Sequence, residues 1–532
     1  PFFHRQTHQC RTVFLRIRIG QYRLVTAHLH IPAQQCEGQP AQGVKPVQGE
    51  QQERKRFDDV VFALQVAVLM GQYIAQGLFV QTKRDVDPGA EQAQNKGRLY
   101  LVRLPHIVAI QDGFGQTAVQ AQVGCETVKV PYGVMVKLAS TLRENDFSVC
   151  VKGQLADTAF LCMDICAYDD TAMVGCAIDI GTTTVSMVLV DMTSGKLLAK
   201  GSSGNGQIRY GADVINRIIE ASRPGGKKKL QDAIIKETLN PIIANLCKSA
   251  NINARSILRL SIGANTTMNH LLVGVEADPI RMDPYIPSFF GWEDLTAGDL
   301  RLPANPDARV VIAPNIGSYV GGDITAGTLA TMMWDTDEMV LFIDLGTNGE
   351  IVFGNRDFLM SCACSAGPAF EGGDISCGMR APDGAVEAVT IDKETMEPDL
   401  TIVGDAGQKP VGICGSGIID IIAELFRTGI INARGLFVRE GQRVKRDQHG
   451  MGRFVLAFPE ESETGREVSI NEVDIDNFIR AKGAIYSGID TLLQSVDMTP
   501  DCIEKVLVAG GIGSGINMKN AVRIGMLPDV EL

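Results

Sequence analysis

From Val174 onward the chain reads as short buried strands broken by glycine turns. VGCAIDI is a near-continuous apolar run, the pattern of a central strand covered on both faces. A Gly/Thr turn follows, then VSMVLVD, the turn TSGK and LLAKGSS, which together predict a three-strand meander. YGADVINRIIEA then places Val214, Ile215, Ile218 and Ile219 on one helical face. The same order returns 165 residues later as MVLFIDL, GTNG, EIVF, GNRD and FLMSCAC. This is a duplicated supersecondary unit, distinct from a short-period solenoid. Helical patterns near Leu230–Leu246, Ile418–Phe426 and Val473–Leu493 fall between and after the two meanders.

Upstream the pattern weakens. KVPYGVMVKLASTL predicts an amphipathic helix with Val134, Val136, Leu138 and Leu142 inward, and SVCVKGQLADTAFLCMDI reads as strands, so residues 122–173 form a small α/β piece. Before that, VVFALQVAVLM fits either a buried strand or a helix. Residues 1–120 hold 19 Gln and 5 of the 7 His, but one Met. Such Gln-rich, low-pattern sequence predicts a weakly packed region or a stretch that is not the natural N-terminus. The expected domains are therefore 1–121, atypical; 122–173, small; 174–338 and 339–532, the two repeated units.

Composition narrows the class. With 532 residues and 45% hydrophobic content the chain can bury several cores. A net charge of −12 disfavours non-specific binding to nucleic acid and to anionic membranes. The longest apolar run, Val60 to Met70, is too short to span a bilayer. PFFHRQTHQC carries no signal-peptide core, so the cytoplasm is expected. The 13 Cys have no CxxC or zinc spacing, and the closest pairs, Cys162/Cys166 and Cys362/Cys364, read as reduced buried thiols.

Three motifs can carry chemistry. In Asp179-Ile-Gly-Thr-Thr-Thr184 an acid ends a buried strand and a glycine turn follows. Gly181 lets backbone N–H groups approach phosphate oxygens, Thr182, Thr183 and Thr184 add hydroxyls, and Asp179 can hold Mg²⁺ directly or through water. Alone it could equally be an Asp capping a hairpin. Asp344-Leu-Gly-Thr-Asn-Gly-Glu350 repeats the design with Gly346, Thr347, Asn348 and Gly349, and Asp344 as the second Mg²⁺ candidate. Two such hairpins can clamp a polyphosphate from both sides. In VLVAGGIGSGI a strand runs into Gly510, Gly511, Gly513 and Gly515, where main chain can lie against adenine or ribose. A dinucleotide fingerprint fails because Ile516 stands where the third glycine belongs. No Walker-type G-x-x-x-x-G-K-[ST] occurs.

In this order the motifs resemble the ASKHA superfamily of actin, sugar kinases and the seventy-kilodalton chaperones. The strings IGANTTMNHLLVG (262–274), PNIGSYVGGDITAG (314–327), SAGPAFEGGDISCGMR (365–380), CGSGIID (414–420) and AKGAI (481–485) are similar to one subgroup, the reductive activators of corrinoid proteins. The resemblance covers 174–532 and, more weakly, 122–173. It implies an α/β fold of two RNase H-like domains around a nucleotide cleft, with ATP and Mg²⁺ as ligands. It implies that Gly321, Gly322 and Asp323 belong to an interdomain helix (or to a turn), with Asp323 a catalytic candidate beside Asp179 and Asp344. Gly510, Gly511 and Gly513 would form the adenosine loop, and Lys482 would lie near base or ribose or on a solvated helix face. Glu371 would be a structural or a catalytic group.

The implied activity is ATP-dependent re-reduction of a corrinoid protein from Co(II) to Co(I). The implied partners are that corrinoid protein, an external electron donor and a second copy in a homodimer. Relatives carry a ferredoxin-like iron–sulfur domain, but the spacing C-x4-C-x2-C is absent here, and only Cys10 and Cys36 occur in the first 120 residues. Relatives also continue past LPDVEL into a further helix, so a C-terminally shortened chain is expected. A small-molecule kinase with Asp323 or Asp374 as base, and a nucleotide-gated binding module, are alternatives on the same fold.

Overall fold

The computed structural model describes residues 13–14, 99–104 and 116–530, apart from 293, 347, 406 and 511–514. The run Val60–Met70 lies outside the described residues.

The small unit is a four-stranded sheet. Its strands are β1 (Leu99–Leu104), β2 (Thr127–Lys129), β3 (Val149–Ala156) and β4 (Ala159–Ala167), in the order β1-β3-β4-β2. Helices α1 (Gln116–Val123) and α2 (Tyr132–Glu144) accompany it. Strand β1 pairs along its whole length with β3, so this sheet begins upstream of the boundary expected at residue 122. On α2, Val134, Leu138 and Leu142 are buried as the periodicity requires, but Val136 is exposed. It sits half a turn away from the stripe that its neighbours define.

The first repeated unit is a six-stranded sheet. The meander β5 (Val174–Ile180), β6 (Thr184–Asp191) and β7 (Leu197–Gly204) is extended by β8 (Ile257–Ala264), β9 (Leu295–Thr296) and β10 (Arg309–Ile312), in the order β9-β10-β8-β5-β6-β7. Strands β5, β8 and β10 are parallel, which puts the ends of β5 and β8 side by side, Asp179 opposite Gly263. Helix α3 (Val214–Ala221) buries Arg217, Ile218, Glu220 and Ala221. Ile215 and Ile219, expected inward, are exposed, because the helix is rotated to carry Arg217 into the interior. Helices α4 (Gly226–Ile234) and α5 (Asn240–Ala250), with a π-turn between them, and α6 (Thr266–Val273) cover the sheet.

Helix α7 (Gly322–Ala330) connects the two units, and its small residues explain its position. A β-carbon on Gly321 would lie 2.4 Å from Asn265 Cα, one on Gly327 would lie 2.5 Å from the Phe342 ring, and one on Gly263 would touch Ala326 at 3.7 Å. Only glycine and alanine allow the helix to lie this close to β8 on one side and to the next sheet on the other.

The second repeated unit has the meander β11 (Val340–Leu345), β12 (Gly349–Gly354) and β13 (Leu359–Cys364). After it come β14 (Ala385–Ile391), β15 (Pro398–Ile402), β16 (Gly412–Ile413), α8 (Gly415–Arg427), the three-stranded sheet β17 (Val444–Arg446), β18 (Gly452–Ala457), β19 (Val468–Asn471), then α9 (Glu472–Gln494), β20 (Lys505–Ala509) and α10 (Met518–Arg523). The main sheet runs β13-β12-β11-β20, with Val13–Phe14 antiparallel on the outer edge of β13. Strand β20 is parallel to β11, as β8 is to β5, so the duplication read from sequence is a duplication of topology. α9 opens with a capping box between Asn471 and Asp474, satisfying two helix-start N–H groups.

Candidate functional site

The first hairpin is closed by Gly181 N–H donating to Thr184 O at 2.9 Å. A β-carbon on Gly181 would lie 2.6 Å from that same oxygen, so the turn requires glycine. Its carbonyls are then held from behind. Asn205 donates its side-chain amide to Gly181 O at 2.9 Å and its backbone N–H to Thr183 O at 2.8 Å. Asn265, the N-cap of α6, accepts from Met268 N and gives its amide to Thr182 Oγ1 at 3.2 Å. Arg217 donates Nη2 to Thr182 O at 2.5 Å and Nε to Gly211 O at 2.9 Å. These bonds use carbonyls and a hydroxyl, and they fix the turn's shape.

Arg217 is fully buried, and its hydrogen-bond partners are two carbonyls, Gln207 Oε1 and Met268 Sδ. Burial lowers its pKa to about 10, with Asp213 a partial counterweight. Arg217→Met leaves those carbonyls without their donor and removes a cation beneath the turn. It should cost about 1–3 kcal/mol of stability and weaken nucleotide binding about tenfold. Urea unfolding and a fluorescent-nucleotide titration check both, and unchanged affinity would show that the arginine does not serve the turn.

The second hairpin has the same Asp-x-Gly design with a turn one residue shorter. Gly346 N–H donates to Asn348 O at 3.0 Å, and Thr347 lies outside the described residues. Asp344 pairs across the ladder with Glu350, so both carboxyls stand on one face of the sheet. Glu371 Oε1 lies 3.8 Å from the β-carbon position of Gly346. Gly349 turns toward the core, where a β-carbon would lie 2.1 Å from Ile485 Cδ1, so its role here is to admit α9.

Four acids meet electrostatically between the hairpins. Burial, then Asp344 and Asp323, push Asp179 up to about 7. Burial and Asp344 raise Asp323 to about 7, and burial and Glu371 raise Asp344 to about 6. Glu350, 8% exposed, is pushed well above its ordinary value by burial, Asp323 and Asp344. Asp179 is exposed to solvent, yet the protein packed beside it still penalises its charge. No ion pair to any of the four is found among the described residues. Clustered carboxylates without cations fit a hard divalent ion. Among the described residues no three His, Cys, Asp or Glu side chains are grouped closely enough to chelate one directly. Mg²⁺, which keeps several waters and takes further oxygens from phosphates, would need only one or two of these carboxylates.

The glycine loop joins this centre through β20. Ala509 is in register with Asp344, and a β-carbon on Gly510 (φ 99°) would lie 2.0 Å from Leu345 O and 2.9 Å from Asp344 Oδ1. Gly511 and Gly513 lie outside the described residues. Lys482, on α9, is half-buried with its pKa lowered by burial, and its Nζ lies 3.5 Å from the β-carbon position of Gly525. The structure puts Asp179, Asp323 and Asp344 within one another's electrostatic reach, and beside them or their turns it places Glu350, Arg217, Asn205 and Asn265, which sequence reasoning did not single out. For Glu350 the signal was available, since a two-stranded turn of this length places the acid opposite Asp344.

Residues 338–532 match the family described as the C-terminal domain of RACo, the ASKHA domain, and residues 174–336 match the RACo middle region. A solved structure described as the reductive activator for corrinoid, iron–sulfur protein superposes with a TM-score of 0.73 at 38% identity, covering 86% of this chain and 73% of that one. The chain belongs to the RACo family of corrinoid-protein activators. Curated relatives include the corrinoid activation enzyme RamQ of Eubacterium limosum, 36% identical over 366 residues. They also include the [Co(II) methylated amine-specific corrinoid protein] reductase of Methanosarcina barkeri, 23% identical over 383 residues. The aligned region is 67% of this chain in both cases, and 60% and 66% of the respective relatives. No helix among the described residues is long and apolar enough to cross a membrane.

Proposed function

We propose that this chain is the ATP-binding part of an activator that returns a Co(II) corrinoid protein to Co(I). The carrying observation is the pair of Asp-x-Gly hairpins, one on each unit, whose acids Asp179 and Asp344 lie in one another's field together with Asp323 of α7, with no cation paired to them among the described residues. The names of RamQ and the Methanosarcina reductase supply the class of reaction. In this reading Asp179 and Asp344 hold Mg²⁺ through water, and Asp323 and Glu350 order that water. The turns at Gly181–Thr184 and Gly346–Asn348 hold phosphates, Gly510–Gly513 the adenosine, and Lys482 the base or ribose. Mg²⁺ supplies the charge that lets these acids accept a polyphosphate.

The electron comes from a donor outside the described residues, and the reading places the chain in the cytoplasm. ATP contributes only if the ATP and ADP states differ in affinity for the corrinoid protein. The chain's own part is to position phosphate, metal and water, and to move one domain against the other.

The test is direct. Purified chain with Mg-ATP should show slow ATP hydrolysis that a Co(II) corrinoid protein accelerates. With a low-potential one-electron donor, the Co(I) absorption band should appear only when ATP is present. Hydrolysis stimulated by a sugar or acid, and by no corrinoid protein, would mean a small-molecule kinase instead. ATP-induced thermal stabilisation with no turnover would mean a binding module.

A further inference from the structure

The segment 365–380 contributes a side chain that the function above leaves unused. Residues 372–379 form a tightly braced loop on the second unit. Gly372 N–H donates to Ala369 O at 3.1 Å and Gly378 N–H to Ile375 O at 2.9 Å. Gly378 packs so closely that a β-carbon would lie 2.1 Å from Gly372 O. Ser376 is tied to Asp474 of α9, backbone N–H to Oδ1, at 2.8 Å. Met379 N–H donates to Ile413 O at 2.8 Å, so the bracing reaches the residue immediately before Arg380.

From this base the Arg380 side chain crosses to the first unit. Its Nη2 lies 3.5 Å from Thr183 O, and its Nη1 lies 4.0 Å from the β-carbon position of Gly204. Thr183 O already accepts from Asn205 N–H at 2.8 Å, so the arginine's bond is a second and long one. The side chain is exposed, and among the described residues no carboxylate pairs with it. Elsewhere in this unit Arg427 pairs with Glu424, Arg443 with Glu397 and Glu461, and Arg453 with Glu467, while Arg439 and Arg446 bond to backbone carbonyls. A guanidinium held at a phosphate turn by a poor neutral acceptor, on the far side of the cleft from that turn's own domain, is placed for a stronger acceptor. A terminal phosphate offers two oxygens in the planar arrangement that arginine matches.

We propose that Arg380 is the residue that reads the terminal phosphate of ATP, exchanging its long bond to Thr183 O for phosphate oxygens and so tightening the link between the two domains when ATP is bound. This rests on the reading of Gly181–Thr184 as a phosphate turn. ADP lacks the group that Arg380 would grip, so the side chain distinguishes the two nucleotides without touching the adenosine.

The experiment compares the wild-type chain with Arg380→Gln and Arg380→Lys, titrating fluorescent ATP and ADP in the presence of Mg²⁺. R380Q should raise the Kd for ATP about 10- to 100-fold and leave the Kd for ADP within about twofold, with the ligand-free melting temperature unchanged because the side chain is exposed. R380K, which keeps a point charge but loses the planar fork, should fall between. Equal loss of ATP and ADP binding, or no loss of either, overturns the role given to Arg380 while leaving the phosphate turn intact. A wild-type chain that binds neither nucleotide overturns the phosphate turn itself, and the inference with it.

Discussion

Asp344→Asn will remove the thermal stabilisation that Mg-ATP gives the wild-type chain. A ligand at 100 times its dissociation constant stabilises by about 2.7 kcal/mol, a shift of a few degrees in melting temperature for a chain of this size. Asp344 stands opposite Glu350, beside Gly510 and within the field of Asp179 and Asp323. Removing its charge removes one of the two carboxylates assigned to the metal and relieves repulsion among the rest. The ligand-free variant should therefore melt at or above the wild-type temperature while losing the response to nucleotide. A variant that still responds fully would show that the second hairpin does not hold the metal.

The same cluster fixes the sign of a pH effect. Burial and neighbouring carboxylates push Asp179 and Asp323 up to about 7 and Asp344 up to about 6 in the folded chain. In the unfolded chain they titrate near 4, so between these values the folded state binds more protons and its stability falls as pH rises. Acids held by arginine elsewhere, such as Glu424 and Glu467, push the opposite way. The difference between wild type and D344N isolates the cluster. The wild-type melting temperature should drop more steeply from about pH 4.5 to about pH 7, and Mg²⁺ should flatten that drop.

The second large effect is at Gly510. Its φ of 99° lies where side chains are strained, and an added β-carbon would press into Leu345 O at 2.0 Å and Asp344 Oδ1 at 2.9 Å. The opposing atoms are backbone and a site carboxylate, so relief requires β20 to move away from β11. Gly510→Ala should cost about 3 kcal/mol or more and abolish nucleotide binding together with it. Gly450→Ala is the control, because Gly450 has a similar positive φ of 80° and nothing within 4 Å of its β-carbon position. It should cost about 1 kcal/mol and leave binding alone. Similar losses at both positions would mean that backbone strain, and not the approach to Asp344, sets the effect.

The two meanders were legible because a strand buried on both faces leaves an uninterrupted apolar run, and VGCAIDI and MVLFIDL have no other good reading. Asp179 and Asp344 were legible because each breaks such a run at its last turn. What could not be read was the orientation of α3. Ile215 and Ile219 look like core residues by spacing, yet Arg217 takes the interior because its target is the Thr182 carbonyl, 35 residues away in sequence. A buried cation satisfied by neutral acceptors leaves no trace in a periodicity. Strand β1 was hidden for a different reason. LYLVRL is an ordinary strand sequence, but its partner β3 is about 50 residues downstream, beyond α1, β2 and α2, and no local pattern links the two. Arg380 was in plain view at the end of 365–380, and only the fold shows that it points across the cleft.

The seam along α7 bears on how such a molecule can move. Ile324 of α7 is packed in one buried cluster with Val340, Phe342 and Val352 of the second sheet, whereas on the β8 side Ala326 lies against Gly263 with no long side chains meshed into one another. Interlocked knobs would give two or three fixed settings, each separated from the next by the work of unmeshing. A seam that is smooth on the β8 side has no such detents there, so small displacements along it are cheap and resistance must come from elsewhere. The resting angle between the halves is then decided by what bridges the cleft rather than by the pivot, and a few charges at its rim are enough to choose it.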